Sequence, residues 1–184
     1  MGLLNEGINE VIASTRFNAA PMGVFFRGGR FSMVLFSGSH TARNIESEGW
    51  VVANIVQDPV LYVTTAFSDL AQTAFLSVLV NGREMHRLAH ADAWQAFDVT
   101  IEHRGTESLT ALLSPLHEEI ISPTVRPVNR GFNSIIEATV HATRYAINRD
   151  PSIKRLIDYH AGIVRKCGGK REWEALDLLM NYIR

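Results

Sequence analysis

The sequence predicts a mainly β protein with a helical C-terminal part, and three observations carry that expectation. From about Glu10 to about Pro127, short runs rich in Val, Phe and Thr are separated by Gly, Asn, Asp and Pro, the texture of many short strands in a barrel or sandwich. After Pro127 the apolar residues recur at a helical period. Cap and stop signals then divide this last portion into three short helices of a small bundle. The expected division is a β domain over residues 1–127 and a helical subdomain over residues 128–184.

Taken in order, the first two strands are "APMGVFF" (Ala20 to Phe26) and "RFSMVLF" (Arg30 to Phe36). Between them Arg27, Gly28, Gly29 and Arg30 form a hairpin turn, glycine supplying the positive φ that a tight turn demands. "SGSHTARNI" (Ser37 to Ile45) follows, placed where a helix can begin. "WVVANIV" (Trp50 to Val56) and "VLYVTTAF" (Val60 to Phe67) read as two further strands, with Asp58-Pro59 as the breaker between them. "AFDVTIEHRG" and "TESLTALLSPLHEEIIS" read as two strands joined by a Gly105 turn, the second being readable as a helix as well.

Beyond Pro127, "NSIIEATVHATRYAIN" carries Ile135, Ile136, Val140 and Ile147 on one stripe and stops near Asn148. Asp150-Pro151 supplies a cap and a first-turn proline for the next helix, with Ile153, Leu156, Ile157, Ile163 and Val164 inward and Gly168-Gly169 as its stop. In the last helix Trp173, Leu176, Met180 and Ile183 line one face.

Composition excludes several function classes. A chain of 184 residues, 46% hydrophobic and 20% charged, is long enough for one good core. Its net charge of −1 provides no field to attract nucleic acid or an anionic membrane. Neither a leader with an apolar centre nor an apolar run of membrane-spanning length is read in it, and its single cysteine, Cys167, cannot form an internal disulfide. A reducing, cytoplasmic setting is expected. The dinucleotide GxGxxG, the phosphate-loop GxxxxGK[ST] and the hydrolase GxSxG are all absent. His86 and His90 in "HRLAH" have the i, i+4 spacing that would face one metal from a helix, but no glutamate is placed as in HExxH and no third ligand is evident. No metal site is expected, and Cys167 reads as a helix-end residue rather than a nucleophile.

"SGSHTARNI" has two readings. Ser39 or Thr41 caps a short helix by satisfying its free amides. Alternatively those amides, with the hydroxyls and Arg43, hold an anion such as a phosphate. The context favours a ligand: "NAAPMGV" (Asn18 to Val24) places small residues and a proline within a strand, where a flat molecule can lie against backbone, and Asn54 is polar within an apolar strand.

The order N-A-A-P-M-G-V, hairpin, S-G-S-H-T-x-x-N-I and then V-A-N-I-V-x-D-P resembles the FMN-binding split β-barrel family of flavin-reductase-like and pyridoxamine-oxidase-like proteins. More narrowly it resembles the archaeal-type flavoproteins catalogued as domain-of-unknown-function family 447. The motifs span roughly residues 10 to 67, and the general plan is similar over most of the chain.

The resemblance implies a homodimer of split barrels with FMN in a groove at the subunit interface. On that model Ala20, Pro21, Met22 and Gly23 border the isoalloxazine through their backbone. Ser39, His40, Thr41 and Asn44 lie at the phosphate and ribityl end, with Arg43, or more weakly Arg16, as the cation there. Asn54 is a second polar contact, its alternative being a buried residue satisfied by backbone. The implied function is that of a flavin-dependent reductase or electron-transfer protein acting on an unidentified small molecule, with NADH or NADPH as a donor to be tested. The alternatives are a flavin-binding storage or sensor module and a structural barrel. Dimerisation is also expected because an open barrel would expose "VVANIV" and "VLYVTTAF".

Overall fold

The computed structural model describes residues 2–123 and 125–184. Among them, β1 (Gly7–Thr15), β2 (Asn18–Arg27), β3 (Arg30–Phe36), β4 (Trp50–Ile55), β7 (Ala93–Arg104) and β8 (Ser108–Ile120) close a barrel in the order β1-β2-β3-β8-β7-β4. All of its ladders are antiparallel. β5 (Phe75–Val80) and β6 (Arg83–Leu88) form a separate two-stranded sheet. The helices are α1 (His40–Glu48), α2 (Pro59–Phe67), α3 (Arg130–Asn148), α4 (Pro151–Cys167) and α5 (Lys170–Tyr182). No helix among the described residues is long and apolar enough to cross a membrane.

The chain divides into two compact units. The helical one comprises Gln57–Asp69 and Val125–Arg184, and the barrel unit takes the remainder. In the barrel unit, alternate residues of the strands meet inside: Val11, Ala13, Val24, Met33, Leu35, Val51, Ala53, Phe97 and Ala111 are nearly or wholly buried, with Ala42 and Ile45 of α1 among them. Burying a side chain the size of Leu35 or Phe97 stabilises the fold by about 1.5–3 kcal/mol. The hairpin between β2 and β3 turns on Gly28 and Gly29, both with positive φ (56° and 77°), as its sequence requires. β8 settles the ambiguous segment as a strand, paired with β3 and β7.

Three expectations are corrected. "VLYVTTAF" is the body of α2, not a strand. Asp58 is its N-cap, accepting from the Val60 amide at 3.0 Å, and Pro59 occupies the first turn, where its missing N–H costs nothing. The stripe on α3 is also different. Its buried residues are Gly131, Ser134, Ile135, Ala138, Thr139 and Ala142, whereas Val140 is at the surface and Ile147 is 87% exposed. Small residues let α3 and α4 approach closely: a Cβ at Gly131 would fall 2.5 Å from the Gly168 Cα. Leu156 and Trp173, expected to face inward, are about half exposed, while Ile157, Val164, Leu176 and Ile183 are buried as expected.

Candidate functional site

Within the closed barrel, β2 is only partly paired on one side. It pairs with β1 along all but its last residue, from Gly7↔Phe26 to Thr15↔Asn18, but with β3 only from Val24↔Met33 to Arg27↔Arg30. Residues 18–23 therefore have a backbone edge that no strand of the described residues covers. The sequence explains why the edge is stable without a partner. Pro21 has no N–H to offer a ladder and Ala19, Ala20 and Gly23 carry little or no side chain to shield it. Ala20, Pro21, Met22 and Gly23 are all half-buried. Met22 packs on the barrel core. A Cβ at Gly23 would stand 3.0 Å from Ile8 Cγ2 of β1, a tight contact to which the exposed Ile8 side chain would have to yield.

α1 is fastened beside this edge. Ser39 caps it, its hydroxyl accepting from the Ala42 amide at 3.1 Å. Thr41 is buried, and its hydroxyl oxygen accepts from the Asn18 side-chain amide at 2.9 Å. The Asn44 side-chain amide donates to Thr15 Oγ1 at 2.9 Å and to the Arg16 carbonyl at 3.4 Å. These bonds tie the first two turns of α1 to the β1–β2 hairpin, which brings the N-terminus of the helix to the start of the uncovered edge. Among the described residues no acceptor meets the Thr41 amide. The first turn also contains no acidic residue. An anion there would meet the Thr41 amide, the positive end of the helix dipole and no acidic side chain in the first turn.

Of the two readings of "SGSHTARNI", the structure shows the cap: Ser39 holds the start of α1. Each of the Ser39 and Thr41 hydroxyls spends its oxygen on a protein donor and keeps its own O–H to donate. Of the two basic residues, Arg16 pairs with Glu48 at 3.4 Å, while Arg43 is exposed and makes no ion pair among the described residues. His40 is exposed at the first helical position.

Asn54 goes elsewhere. It is fully buried, and its amide donates to the Ile12 carbonyl at 2.8 Å, to Ser14 Oγ at 2.8 Å and to the Val52 carbonyl at 3.2 Å, while its oxygen accepts from the Leu88 amide at 2.8 Å. Ser14 in turn donates to the His86 carbonyl at 2.7 Å. This is a network joining β1, β4 and β6, in keeping with the reading of Asn54 as a buried residue satisfied by its protein neighbours. The spacing in "HRLAH" is not helical: His86 lies in β6 and is buried against Phe17, ring centroids 4.1 Å apart, and His90 follows the strand in a turn.

The sequence reasoning passed over Asn18, whose side chain holds Thr41, and Phe17, which has a left-handed φ of 50° at the β1–β2 turn. A positive φ at a bulky residue has no sequence signal, whereas the Asn18 amide stood within a quoted motif and went unused.

Comparison with known proteins bears on the same segments. Residues 9–122 match the family model described as "Protein of unknown function (DUF447) N-terminal domain", and residues 129–181 match "Protein of unknown function (DUF447)". The FMN-bound protein MM1853 from Methanosarcina mazei, itself a DUF447 protein, is similar with a TM-score of 0.92 and 39% identity, covering 97% of this chain and 96% of that one. The uncharacterised protein MJ1453 of Methanocaldococcus jannaschii is 24% identical, with 94% of this chain and 96% of that protein covered. A split-barrel-domain protein of Shewanella frigidimarina is similar in fold, with a TM-score of 0.51 and 11% identity over 65% of this chain and 70% of that one.

Proposed function

This chain belongs to the DUF447 family, and on that premise we propose that it is an FMN-binding flavoprotein that uses the flavin to reduce, or pass electrons to, a small molecule. The observation that carries the reading is the uncovered edge of β2 beside an acid-free helix N-terminus, in a chain that matches an FMN-bound relative along nearly its whole length. When bound, FMN supplies hydride or electron acceptance at its isoalloxazine. The protein supplies position. The backbone of Ala20, Pro21, Met22 and Gly23 borders the ring, whose polar edge takes hydrogen bonds that a neighbouring strand would otherwise take. The amides opening α1, the hydroxyls of Ser39 and Thr41, and the side chains of His40 and Arg43 face the phosphate. Asn44 acts through α1 by holding the helix against Thr15, and Asn54 acts through the sheet.

The remaining parts of the reading are a homodimer with the flavin at the subunit interface, NADH or NADPH as electron donor, and residence in a reducing cytoplasm. The apolar surface that supports dimerisation is not the one expected from the sequence, since "VVANI" is buried within the barrel and "VLYVTTAF" is a helix. Exposed apolar side chains lie instead at Ile8, Val34, Phe36, Leu76, Leu79 and Ile120, all at least 43% exposed. Cys167, with no second cysteine to pair with, supports the reducing setting.

Two measurements on the purified protein test the proposal. Mass spectrometry of the ligand released on denaturation is expected to give FMN, and a protein that neither copurifies with FMN nor takes it up would overturn the assignment. Anaerobic addition of NADH or NADPH is then expected to bleach the oxidised flavin. A flavin that stays oxidised with both would reject turnover and leave a storage or sensor protein.

A further inference from the structure

The geometry points to a divalent transition-metal site within the helical unit, formed by Glu137 and His141 of α3 with His160 of α4. Glu137 and His141 are four residues apart, so both project from one face of α3. α4 packs closely against α3 through Ala138, Ala142 and Ala161, which brings His160 to that face. One ligand atom from each of the three lies within 4.8 Å of the others. Donors around a tetrahedral zinc ion, at bonds of about 2.0–2.2 Å, stand about 3.4 Å apart. Closing the remaining gap takes side-chain rotation of about an ångström, which an exposed glutamate and two half-buried imidazoles can supply.

Two further observations converge on the cluster. The imidazoles of His141 and His160 are neighbours, ring centroids 5.8 Å apart, and His160 Nδ1 is sealed from solvent with no hydrogen-bond partner among the described residues. A buried polar atom left in this way is costly unless another group completes it. Two nitrogens and one carboxylate oxygen suit an ion of borderline softness, Zn²⁺ foremost, with Co²⁺ and Ni²⁺ also fitting the donor set. Three protein ligands leave a coordination position for water or another small ligand. This site shares no residue with the flavin site and does not depend on that reading.

The test uses untagged protein, freed of metal by a chelator and titrated with Zn²⁺ by calorimetry and by competition with a chromogenic zinc indicator. One equivalent per chain is expected, with a rise in the thermal midpoint. His160→Ala and Glu137→Gln are each expected to weaken uptake at least about tenfold, on the scale seen when metal-site residues are altered. His90→Ala is expected to leave it unchanged. Glu137 is exposed on its helix, so Glu137→Gln keeps the test decisive should the histidine variant fold poorly. Absence of stoichiometric uptake by the wild type, or uptake that Glu137→Gln leaves untouched, would overturn the site.

Discussion

At the scale of single residues, the buried hydrogen bonds and the ligand contacts make separable predictions. Arg43 is exposed and makes no ion pair among the described residues, so Arg43→Ala is expected to leave the melting temperature unchanged and to weaken FMN about tenfold or more, the range of one charge-assisted hydrogen bond. Riboflavin lacks the phosphate, and its affinity should not move; titration of both flavins into the apoprotein checks this. Asn54→Leu is expected to do the opposite. It leaves the Ile12 carbonyl and the Leu88 amide without their partner in a closed interior and should cost more than about 2 kcal/mol in denaturant unfolding. Thr41 is the instructive case. Its hydroxyl binds Asn18 in a buried setting, so a charged replacement would disrupt the attachment of α1 as well as any phosphate contact, and Arg43 is the cleaner probe. His141 gives a pH dependence. Its folded-state pKa lies below the ordinary 6.5, so as pH falls through that value the unfolded chain takes up the proton first. Stability is therefore full above about pH 6.5 and declines below it, until the folded-state pKa is passed. Urea unfolding of metal-free protein between pH 8 and pH 5 should show this decline, and His141→Gln should flatten it.

Among the elements, those whose apolar pattern and turn chemistry agree were legible in the sequence. β2 and β3 follow from alternating apolar residues around Gly28-Gly29, and α4 from Asp150-Pro151, where the Asp150 side chain accepts from the Ser152 amide at 2.7 Å. The same dipeptide misled at Asp58-Pro59. Val60, Val63, Thr64 and Thr65 favour a strand locally, but the cap and tertiary packing on α3 and α5 make the segment a helix. Arg171 of α5 grips Asp58 with two bonds, at 3.0 and 2.7 Å, so one carboxylate both caps α2 and anchors it. Asp58→Ala is expected to cost about 1–2 kcal/mol, the worth of a lost cap with a partly exposed ion pair, and to report in helical circular dichroism during thermal melting. The α3 stripe was misread because close helix packing selects Ser134, Ala138 and Ala142, residues that a search for large apolar side chains ignores. The β5–β6 hairpin was overlooked despite Asn81-Gly82, both of positive φ, a strong short-range turn signal.

On the scale of the whole molecule, the proposed flavin site is a junction of segments about twenty residues apart, and the sequence could suggest their meeting only by resemblance. Hydrogen bonds from Asn18 and Asn44 bring them together, and neither bond is written in a local pattern. A dimer is expected by light scattering at micromolar concentration, and Phe36→Asp or Leu79→Asp should shift it toward monomer if these exposed side chains form the interface. The most direct test of the flavin site is amide hydrogen exchange followed by mass spectrometry on apoprotein alone, with FMN and with riboflavin. FMN is expected to slow exchange in residues 18–24 and 39–44 together, and riboflavin in residues 18–24 only. Protection by FMN at other segments, with both of these unchanged, would contradict a cofactor lying along the edge of β2 with its phosphate at the start of α1.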